Sequence, residues 1–201
     1  MQRYDHRTAL VIVDLQNDFA DPAGSLWVAG AAKIIPRIND EIVTAERAGS
    51  TVVLTQDWHP ESTPHFAKDG GIWPVHCVAD TWGAELHPDL HSPADAPRIR
   101  KGVNGEDGYS GFMTRDPQTG DQQPTELDAL LRARGIERVV VCGLATDYCV
   151  NATALDAIRL GYQTWFLDDA VAAVDLKPGD GARATGAMLA AGCQPWRAPA
   201  T

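Results

Sequence analysis

The chain has 201 residues, of which 44% are hydrophobic and 22% are charged, and its net charge at pH 7 is −10. At roughly 150 residues per domain, this length predicts a single domain over residues 1–201, and the composition excludes disordered, collagen-like and coiled-coil proteins. So acidic a surface disfavours nucleic acid and membranes as partners, because both present negative charge.

The N-terminal residues and the cysteines indicate where the protein resides. The apolar runs Ala9 to Val13 and Val139 to Cys142 are too short to cross a bilayer, and Met1 to Thr8 contains no apolar signal-peptide core. We therefore expect a cytoplasmic protein. Four cysteines without paired spacing are expected to be reduced thiols, namely Cys77, Cys142, Cys149 and Cys193.

Short β-branched runs alternate with longer amphipathic stretches along the chain. In chain order we predict a strand over Thr8–Val13, a helix over Ala32–Ala48, strands over Thr51–Thr55 and Arg98–Lys101, a helix over Thr125–Arg134, a strand over Arg138–Gly143, a helix over Asp147–Leu160, a strand over Gln163–Leu167 and a helix over Gly179–Ala191. A glycine follows each helix as a stop signal, and near-continuous apolar strands are typical of sheets covered on both faces. The pattern predicts an α/β fold with a doubly wound, Rossmann-like, mostly parallel sheet and helices on both faces.

Two stretches lack this periodicity. His59 to Pro97 is rich in Pro, His, Trp and Gly, and Gly102 to Pro124 contains five glycines. Irregular segments this long in a compact domain are usually functional, so we expect them to form part of a pocket.

Reactive side chains follow four of the predicted strands. Asp14 follows the first strand, Asp57 and His59 follow the second, Lys101 ends the third, and Cys149 lies just past the fourth. In an open parallel sheet, ligands bind beyond the carboxyl ends of the strands. The sequence therefore predicts that these side chains lie at one edge of the sheet.

Cys149 lies near the start of a predicted helix that Thr146 or Asp147 could cap. A helix N-terminus can lower the pKa of a thiol, and its amides can hold an oxyanion, which favours a nucleophile. The alternative is a packed cysteine that acts as a small hydrophobic residue.

Asp14 and Lys101 each have a chemical and a structural interpretation. A carboxylate at a strand end in apolar surroundings can have a raised pKa and act as a base, but it can also cap a turn. Lys101 could stabilise negative charge beside it, or it could be a solvated lysine in a basic patch with Arg98 and Arg100.

Asp57 and His59 are two residues apart, so their side chains point the same way in extended backbone. His76 could complete a three-ligand metal site and His65 could add a fourth ligand, although loop histidines are also common without a metal. Carboxylate and imidazole ligands suit zinc, iron or manganese. The remaining histidines are predicted to lie at the surface: His6, His87 and His91. No glycine-rich dinucleotide motif or Walker motif follows a strand, which argues against nucleotide binding.

Five motifs, in the same order along the chain, resemble those of the nicotinamidases, which are isochorismatase-like cysteine hydrolases. The resemblance covers Ala9 to Ala170. The motifs are Asp14-Leu15-Gln16-Asn17-Asp18-Phe19, Gln56-Asp57-Trp58-His59-Pro60, Trp73-Pro74-Val75-His76-Cys77, Lys101-Gly102 followed by Tyr109-Ser110-Gly111-Phe112, and Gly143-Leu144-Ala145-Thr146-Asp147-Tyr148-Cys149-Val150.

The resemblance implies an enzyme of NAD salvage that hydrolyses nicotinamide to nicotinic acid and ammonia through a thioester. It implies a catalytic triad in which Cys149 is the nucleophile, Asp14 is the base and Lys101 stabilises charge. It also implies that the backbone amides of Ala145 and Cys149 form the oxyanion hole and that the peptide bond Leu144-Ala145 is cis.

A divalent metal ion per chain is also implied, and we expect zinc, with iron and manganese as the alternatives. In the resemblance Asp57, His59 and His76 hold the ion, which grips the pyridine nitrogen, and His65 matches a position that supplies a fourth ligand in some members. The residues that match the aromatic walls around the ring are Phe19, Trp73 and Tyr109.

Two other functions compete with this one. The first is a related isochorismatase-like cysteine hydrolase acting on another small amide, against which the metal ligands argue because such enzymes generally lack them. The second is a catalytically silent protein that binds a small ligand on the same fold.

Pyrazinamide is expected as a side substrate of the nicotinamidase. A monomer and a homo-oligomer are both compatible with the sequence.

Overall fold

The computed structural model describes residues 3–197, so Met1 and Gln2 of the polar N-terminal stretch lie outside the described residues. The described strands, in chain order, are β1 (Thr8–Val13), β2 (Thr51–Asp57), β3 (Arg98–Lys101), β4 (Met113–Arg115), β5 (Gln122–Pro124), β6 (Arg138–Leu144), β7 (Gln163–Ala172) and β8 (Gln194–Pro195). Strands β3-β2-β1-β6-β7-β8 form one sheet in that order, and every neighbouring pair is parallel. The predicted parallel sheet is confirmed.

Helices cover both faces of this sheet. They are α1 (Asn17–Ala20), α2 (Ala31–Arg47), α3 (Leu127–Ala133), α4 (Asn151–Arg159) and α5 (Asp180–Ala190). Apolar residues of α2 share one core with Leu10 and Ile12 of β1, whereas those of α3, α4 and α5 share the other core with Val11. The doubly wound α/β fold predicted from the sequence is therefore confirmed. Within residues 3–197, none of the helices has the length and apolar character needed to span a membrane.

Strand β1 lies at the centre of the fold. All six of its residues are buried, and successive side chains of a strand point to opposite faces. One strand thus supplies both cores, which explains its near-continuous apolar sequence.

The order of the strands reverses at β1. The chain builds outward through β2 and β3, then crosses back to place β6 on the other side of β1. A crevice forms at such a switch point beyond the carboxyl ends of the strands, and it is the usual ligand site of this architecture. Asp14 and Cys149 follow the two strands that flank it.

Several short elements were not predicted. The antiparallel hairpin of β4 and β5 lies within the glycine-rich stretch, and all three residues of β5 are exposed, so it carries no hydrophobic alternation. Strand β8 has two residues and α1 has four. Elements this short leave no periodic pattern in a sequence.

The helix predicted over Asp147–Leu160 begins differently from the expectation. Thr146–Val150 forms one π-helical turn, and α4 follows it at Asn151. Neither Thr146 nor Asp147 caps this turn through its side chain. The Asp147 carboxylate instead accepts hydrogen bonds from the backbone amides of Val174 at 2.9 Å and Asp175 at 2.8 Å.

Candidate active site

Four reactive side chains meet at the carboxyl edge of the sheet, as the sequence predicted. Asp14 follows β1 with a left-handed backbone (φ 48°), Asp57 ends β2, Lys101 ends β3, and Cys149 lies in the turn after β6. All four are buried. Left-handed residues other than glycine are uncommon and often lie at functional sites.

Lys101 lies between the other three side chains. Its Nζ is 2.8 Å from Asp14 Oδ2 and 3.7 Å from Cys149 Sγ, and it forms an ion pair with Asp57 Oδ1. Only 1% of Lys101 is exposed, so the alternative of a solvated lysine is wrong. The spacing of Asp14, Asp57 and Cys149 would suit a cation, and the lysine ammonium supplies the positive charge among them.

The protonation of this group follows from its burial. Burial raises the pKa of Asp14 above its usual value, although the Lys101 ammonium opposes the shift. Desolvation lowers the pKa of Lys101, but the Asp14 and Asp57 carboxylates outweigh it and raise that pKa well above its usual value. The lysine is therefore an ammonium ion at neutral pH.

The Cys149 thiol does not behave as its position in the sequence suggested. Burial raises its pKa well above the usual value; Lys101 opposes the shift, and Asp14 adds to it. The expectation that a helix N-terminus lowers this pKa is wrong, because the turn is buried beside two carboxylates. The resting thiol is protonated and needs a base to become a nucleophile.

Thr55 orients the Asp14 carboxyl group. Its Oγ1 donates a 2.6 Å hydrogen bond to Asp14 Oδ1, which leaves Oδ2 directed at Lys101. Thr55 is fully buried in β2. Nothing in the sequence marks this threonine as functional, because threonine is common in apolar strands.

The predicted metal ligands form a second cluster beside the first. Nitrogen atoms of His59, His65 and His76 lie within 4.8 Å of one another. Asp57 Oδ2 is 3.9 Å from His59 Nε2 and 3.8 Å from His76 Nε2. Asp57 therefore faces Lys101 with one oxygen and the histidines with the other.

This cluster fits a divalent metal ion. Among the described residues, neither ring nitrogen of buried His59 has a hydrogen-bond partner, which is costly for a polar group unless a ligand satisfies it. His76 Nδ1 lies 2.7 Å from the carbonyl oxygen of Pro74, an arrangement that turns Nε2 toward the cluster. One carboxylate and three imidazoles are a donor set typical of zinc, iron and manganese.

Burial also keeps two of the imidazoles in the form that binds metals. Desolvation lowers the pKa of His65 to about 4 and lowers that of His76 as well. Both side chains are therefore neutral at pH 7, and a neutral imidazole offers the free electron pair that a metal needs.

Gly102 allows His59 to occupy its place. A methyl group at Gly102 would lie 2.4 Å from His59 Nδ1, and its backbone is left-handed at φ 82°. Glycine alone avoids both penalties. The Lys101-Gly102 motif therefore combines a charged site residue with the space that a metal ligand requires.

The two clusters adjoin a pocket with about 400 Å³ of empty space, including its open mouth. Phe19, Trp73 and Tyr109 line it, and Tyr148 adds a further aromatic wall. Trp73 Nε1 donates a 3.0 Å hydrogen bond to the Tyr109 hydroxyl, and the Trp73 and Tyr148 rings lie 4.9 Å apart. Aromatic walls of this kind suit a flat ring, and we call this aromatic-lined pocket the slot.

The sequence predicted some of the remaining pocket residues and missed others. Ala145 and Cys149 line it, and the peptide bond Leu144-Ala145 is cis, where the resemblance placed it. Lys101 and His59 lie outside the lining but contact Asp57, which belongs to it. Tyr148 directly precedes Cys149 in its motif, so the sequence could have indicated it. Three apolar lining residues carried no such signal: Leu26, Val28 and Val174.

Of the three remaining histidines, two are exposed as predicted and one is not. His6 and His91 are exposed. The prediction for His87 is wrong, because it is buried and its backbone amide donates to the carbonyl oxygen of Leu15 at 2.9 Å. This bond holds part of the long irregular segment against the loop after β1.

The chain is similar to known proteins over nearly its whole length. The model of the isochorismatase domain family matches residues 8–193. A nicotinamidase of Escherichia coli is 40% identical over 200 residues, which cover 92% of each chain. A pyrazinamidase of Pyrococcus horikoshii solved in complex with zinc has a TM-score of 0.86 and 40% identity, covering 96% of this chain and 99% of its own. PnC1 from L. infantum, solved in complex with nicotinate, has a TM-score of 0.86 and 37% identity, covering 98% and 96%.

Proposed function

The chain belongs to the isochorismatase family, and within it we propose a metal-dependent cysteine amidohydrolase that converts nicotinamide to nicotinic acid and ammonia. The observation that carries this proposal is the junction of two clusters at one slot-shaped pocket. A thiol beside a carboxyl group and an ammonium ion can hydrolyse an amide, and the histidine cluster at the same pocket supports a metal site there. Asp57 belongs to both clusters.

In the first step, Cys149 attacks the carboxamide carbon. Asp14 takes the thiol proton as Sγ bonds to carbon, and the carbonyl π electrons move to oxygen. The backbone amides of Ala145 and Cys149 hold the resulting oxyanion, while Lys101 stabilises the negative charge beside the thiol. The raised pKa of Asp14 makes it a stronger base than an ordinary carboxylate.

In the second step, Asp14 returns its proton to the amide nitrogen. The carbon–nitrogen bond breaks, ammonia leaves, and the acyl group remains on Cys149 as a thioester. Asp14 then takes a proton from water as the water oxygen attacks the thioester carbon. The carbon–sulfur bond breaks, sulfur recovers the proton from Asp14, and nicotinic acid is released with the enzyme restored.

We propose that the bound ion is zinc, rather than iron or manganese, and that four side chains hold it: Asp57, His59, His65 and His76. The zinc complex of the Pyrococcus horikoshii relative supports this choice. When bound, the ion supplies a Lewis acid for the pyridine nitrogen. Phe19 and Trp73 enclose the ring, and the slot orients its carboxamide toward Cys149.

Pyrazinamide differs from nicotinamide by one ring nitrogen in place of a CH group, so the same slot admits it. We therefore expect the enzyme to hydrolyse both amides. Supply of nicotinic acid to NAD salvage and a cytoplasmic setting remain predictions from the sequence.

The test is ammonia release from nicotinamide by the purified protein, with its metal content measured on the same sample. Cys149→Ala should abolish turnover. Cys142→Ala is the matched control, because Cys142 is also buried and lies near the carbonyl oxygen of Val11, away from the pocket. Turnover that survives in Cys149→Ala would contradict the cysteine mechanism. A metal-free, inactive wild type would indicate a metal-free relative acting on another amide.

A further inference from the structure

The segment between Asp14 and Phe19 contains three buried polar side chains that the reaction does not use, Gln16, Asn17 and Asp18, and two of them bear on the metal site. Gln16 is fully buried and Asp18 is 9% exposed. Gln16 hydrogen-bonds to backbone groups at the end of β2, and Asp18 hydrogen-bonds to the backbone beside His76. Each of these two places carries a proposed metal ligand.

Gln16 binds both backbone groups of Asp57. Its Nε2 donates to the carbonyl oxygen of Asp57 at 2.7 Å, and its Oε1 accepts from the Asp57 amide at 2.8 Å. Nε2 also donates to the carbonyl oxygen of Ala84 at 2.9 Å. The carboxamide of Gln16 thus bridges β2 and the loop that follows it.

These bonds replace part of the sheet. The ladder between β1 and β2 ends with Ile12 opposite Leu54, because the chain turns away at Asp14. A glutamine carboxamide has the same donor and acceptor as a peptide group. Gln16 therefore supplies the pair of bonds that a longer β1 would have given to Asp57, whose other neighbour is Lys101 of β3.

Asp18 holds the other loop. Its Oδ2 accepts from the Cys77 amide at 2.7 Å, and its Oδ1 accepts from the Ser25 amide at 3.0 Å. Cys77 directly follows His76 and has a left-handed backbone at φ 45°. A methyl group at Gly83 would lie 2.1 Å from Asp18 Oδ2, so the surrounding chain fits closely around this carboxylate.

We propose that Gln16 and Asp18 are positioning residues for the metal site: Gln16 fixes Asp57, and Asp18 fixes His76. The inference rests on the proposed function, since it takes Asp57 and His76 as metal ligands. Partners that orient metal ligands typically contribute roughly 10- to 100-fold to metal affinity. The segment that carries the base Asp14 thereby also orients two of the proposed metal ligands, Asp57 and His76.

The test compares Gln16→Met with Gln56→Met. Gln56 is a matched control, because it is buried and its side chain also donates to the carbonyl oxygen of Ala84, at 3.0 Å. Its carboxamide makes no hydrogen bond to the backbone of Asp57. Zinc affinity of each full-length apoprotein is measured by competition with a chromophoric chelator. Gln16→Met should bind zinc roughly 10- to 100-fold more weakly than wild type, and Gln56→Met should stay near wild type.

Two further readouts separate positioning from a general loss of stability. The visible absorption of the cobalt-substituted protein reports ligand geometry, and it should change in Gln16→Met but not in Gln56→Met. Asp18→Asn, which places an amide against one of the two backbone donors, should also weaken zinc binding and provides a second variant if Gln16→Met does not fold.

The possible failures are distinguishable. If wild type binds zinc tightly and both Gln16→Met and Asp18→Asn bind it equally well with an unchanged cobalt spectrum, the positioning role is overturned and the proposed function stands. If wild type has no zinc affinity, both the metal part of the proposed function and this inference are overturned.

Discussion

Lys101 lies at the centre of the cluster that contains Cys149, and this cluster shares Asp57 with the metal cluster. Lys101 forms ion pairs with Asp14 and Asp57 and lies 3.7 Å from Cys149 Sγ, all in a buried environment. Removing one partner of a buried ionic group leaves uncompensated charge, whereas removing both partners restores part of the loss. Its contribution to stability and its contribution to catalysis are therefore inseparable in a single variant.

A double-mutant cycle should reveal this coupling. We expect Lys101→Met to abolish measurable turnover and to lower the free energy of unfolding by about 3–5 kcal/mol, because two buried carboxylates lose their counter-charge. Lys101→Met combined with Asp14→Asn should be more stable than the single Lys101 variant, as measured by chemical denaturation. If the losses of unfolding free energy in the two single variants simply add in the double variant, the predicted coupling is contradicted.

At the residue scale, Gly102 offers a direct test of the metal site. Gly102→Ala should weaken zinc binding, because the new methyl group would displace His59. Gly105→Ala is the control: its backbone is also left-handed, at φ 87°, but the nearest atom to its methyl group would be Thr63 Oγ1 at 3.9 Å. Both variants should lose about 1–2 kcal/mol of stability from backbone strain, and only Gly102→Ala should lose metal affinity by titration. Equal zinc affinity in the two would contradict the contact with His59.

At the scale of elements, the sequence predicted those strands and helices whose buried residues form a repeating apolar pattern. Strands β1 and β6 were predicted nearly to the residue, because their apolar runs are covered on both faces. Strand β3 alternates between exposed and buried residues, so Lys101 shares the inward face of Ile99. The two-residue spacing of Ile99 and Lys101 in a predicted strand places them on one face, which argues against a solvated lysine.

Other features depend on tertiary contacts that no local pattern encodes. The π-helical turn of Cys149 and the pocket wall at Val174 are set by bonds between distant segments. The histidines were found as metal candidates because they follow a strand end, whereas the roles of Thr55 and Gln16 needed the geometry of the neighbouring strand. The residue types thus predicted the chemistry of the site. The residues that hold the reactive side chains in place could be recognised only once the order of the strands was known.

Asp147 links the turn of Cys149 to the segment after β7. Asp147→Ala should raise the KM for nicotinamide several-fold, because Val174 of the pocket wall loses its anchor. The free energy of unfolding should also fall, by roughly 1.5–3 kcal/mol for each of the two lost hydrogen bonds to the carboxylate. Steady-state kinetics and thermal unfolding measure the two effects. Asp156→Ala removes a surface pair with Arg159 and should leave both values nearly unchanged. A wild-type KM in Asp147→Ala would show that the wall does not depend on this link.

At the scale of the whole molecule, the two cores share one sheet. Leu10 and Ile12 of β1 belong to one core and Val11 belongs to the other, so neither core is complete without the same strand. We propose that residues 1–201 form a single domain, as their length predicted.

This arrangement predicts cooperative unfolding. The purified protein should show one thermal transition, and zinc in excess should raise its midpoint, because a ligand that binds the folded state stabilises that state. Asp57→Ala should remove the response to zinc. Calorimetry with and without the ion tests both points, and two separate transitions would show that the cores unfold independently.

The depth of Cys149 has a consequence for chemical labelling. All four cysteines are buried, and burial raises the pKa of each thiol, so ordinary alkylating reagents meet no exposed thiolate on the folded chain. The aromatic slot, however, admits a flat heteroaromatic ring to one of them. A compact electrophile built on such a ring should therefore mark a single sulfur atom, and its rate of attachment would report pocket occupancy without any measurement of turnover.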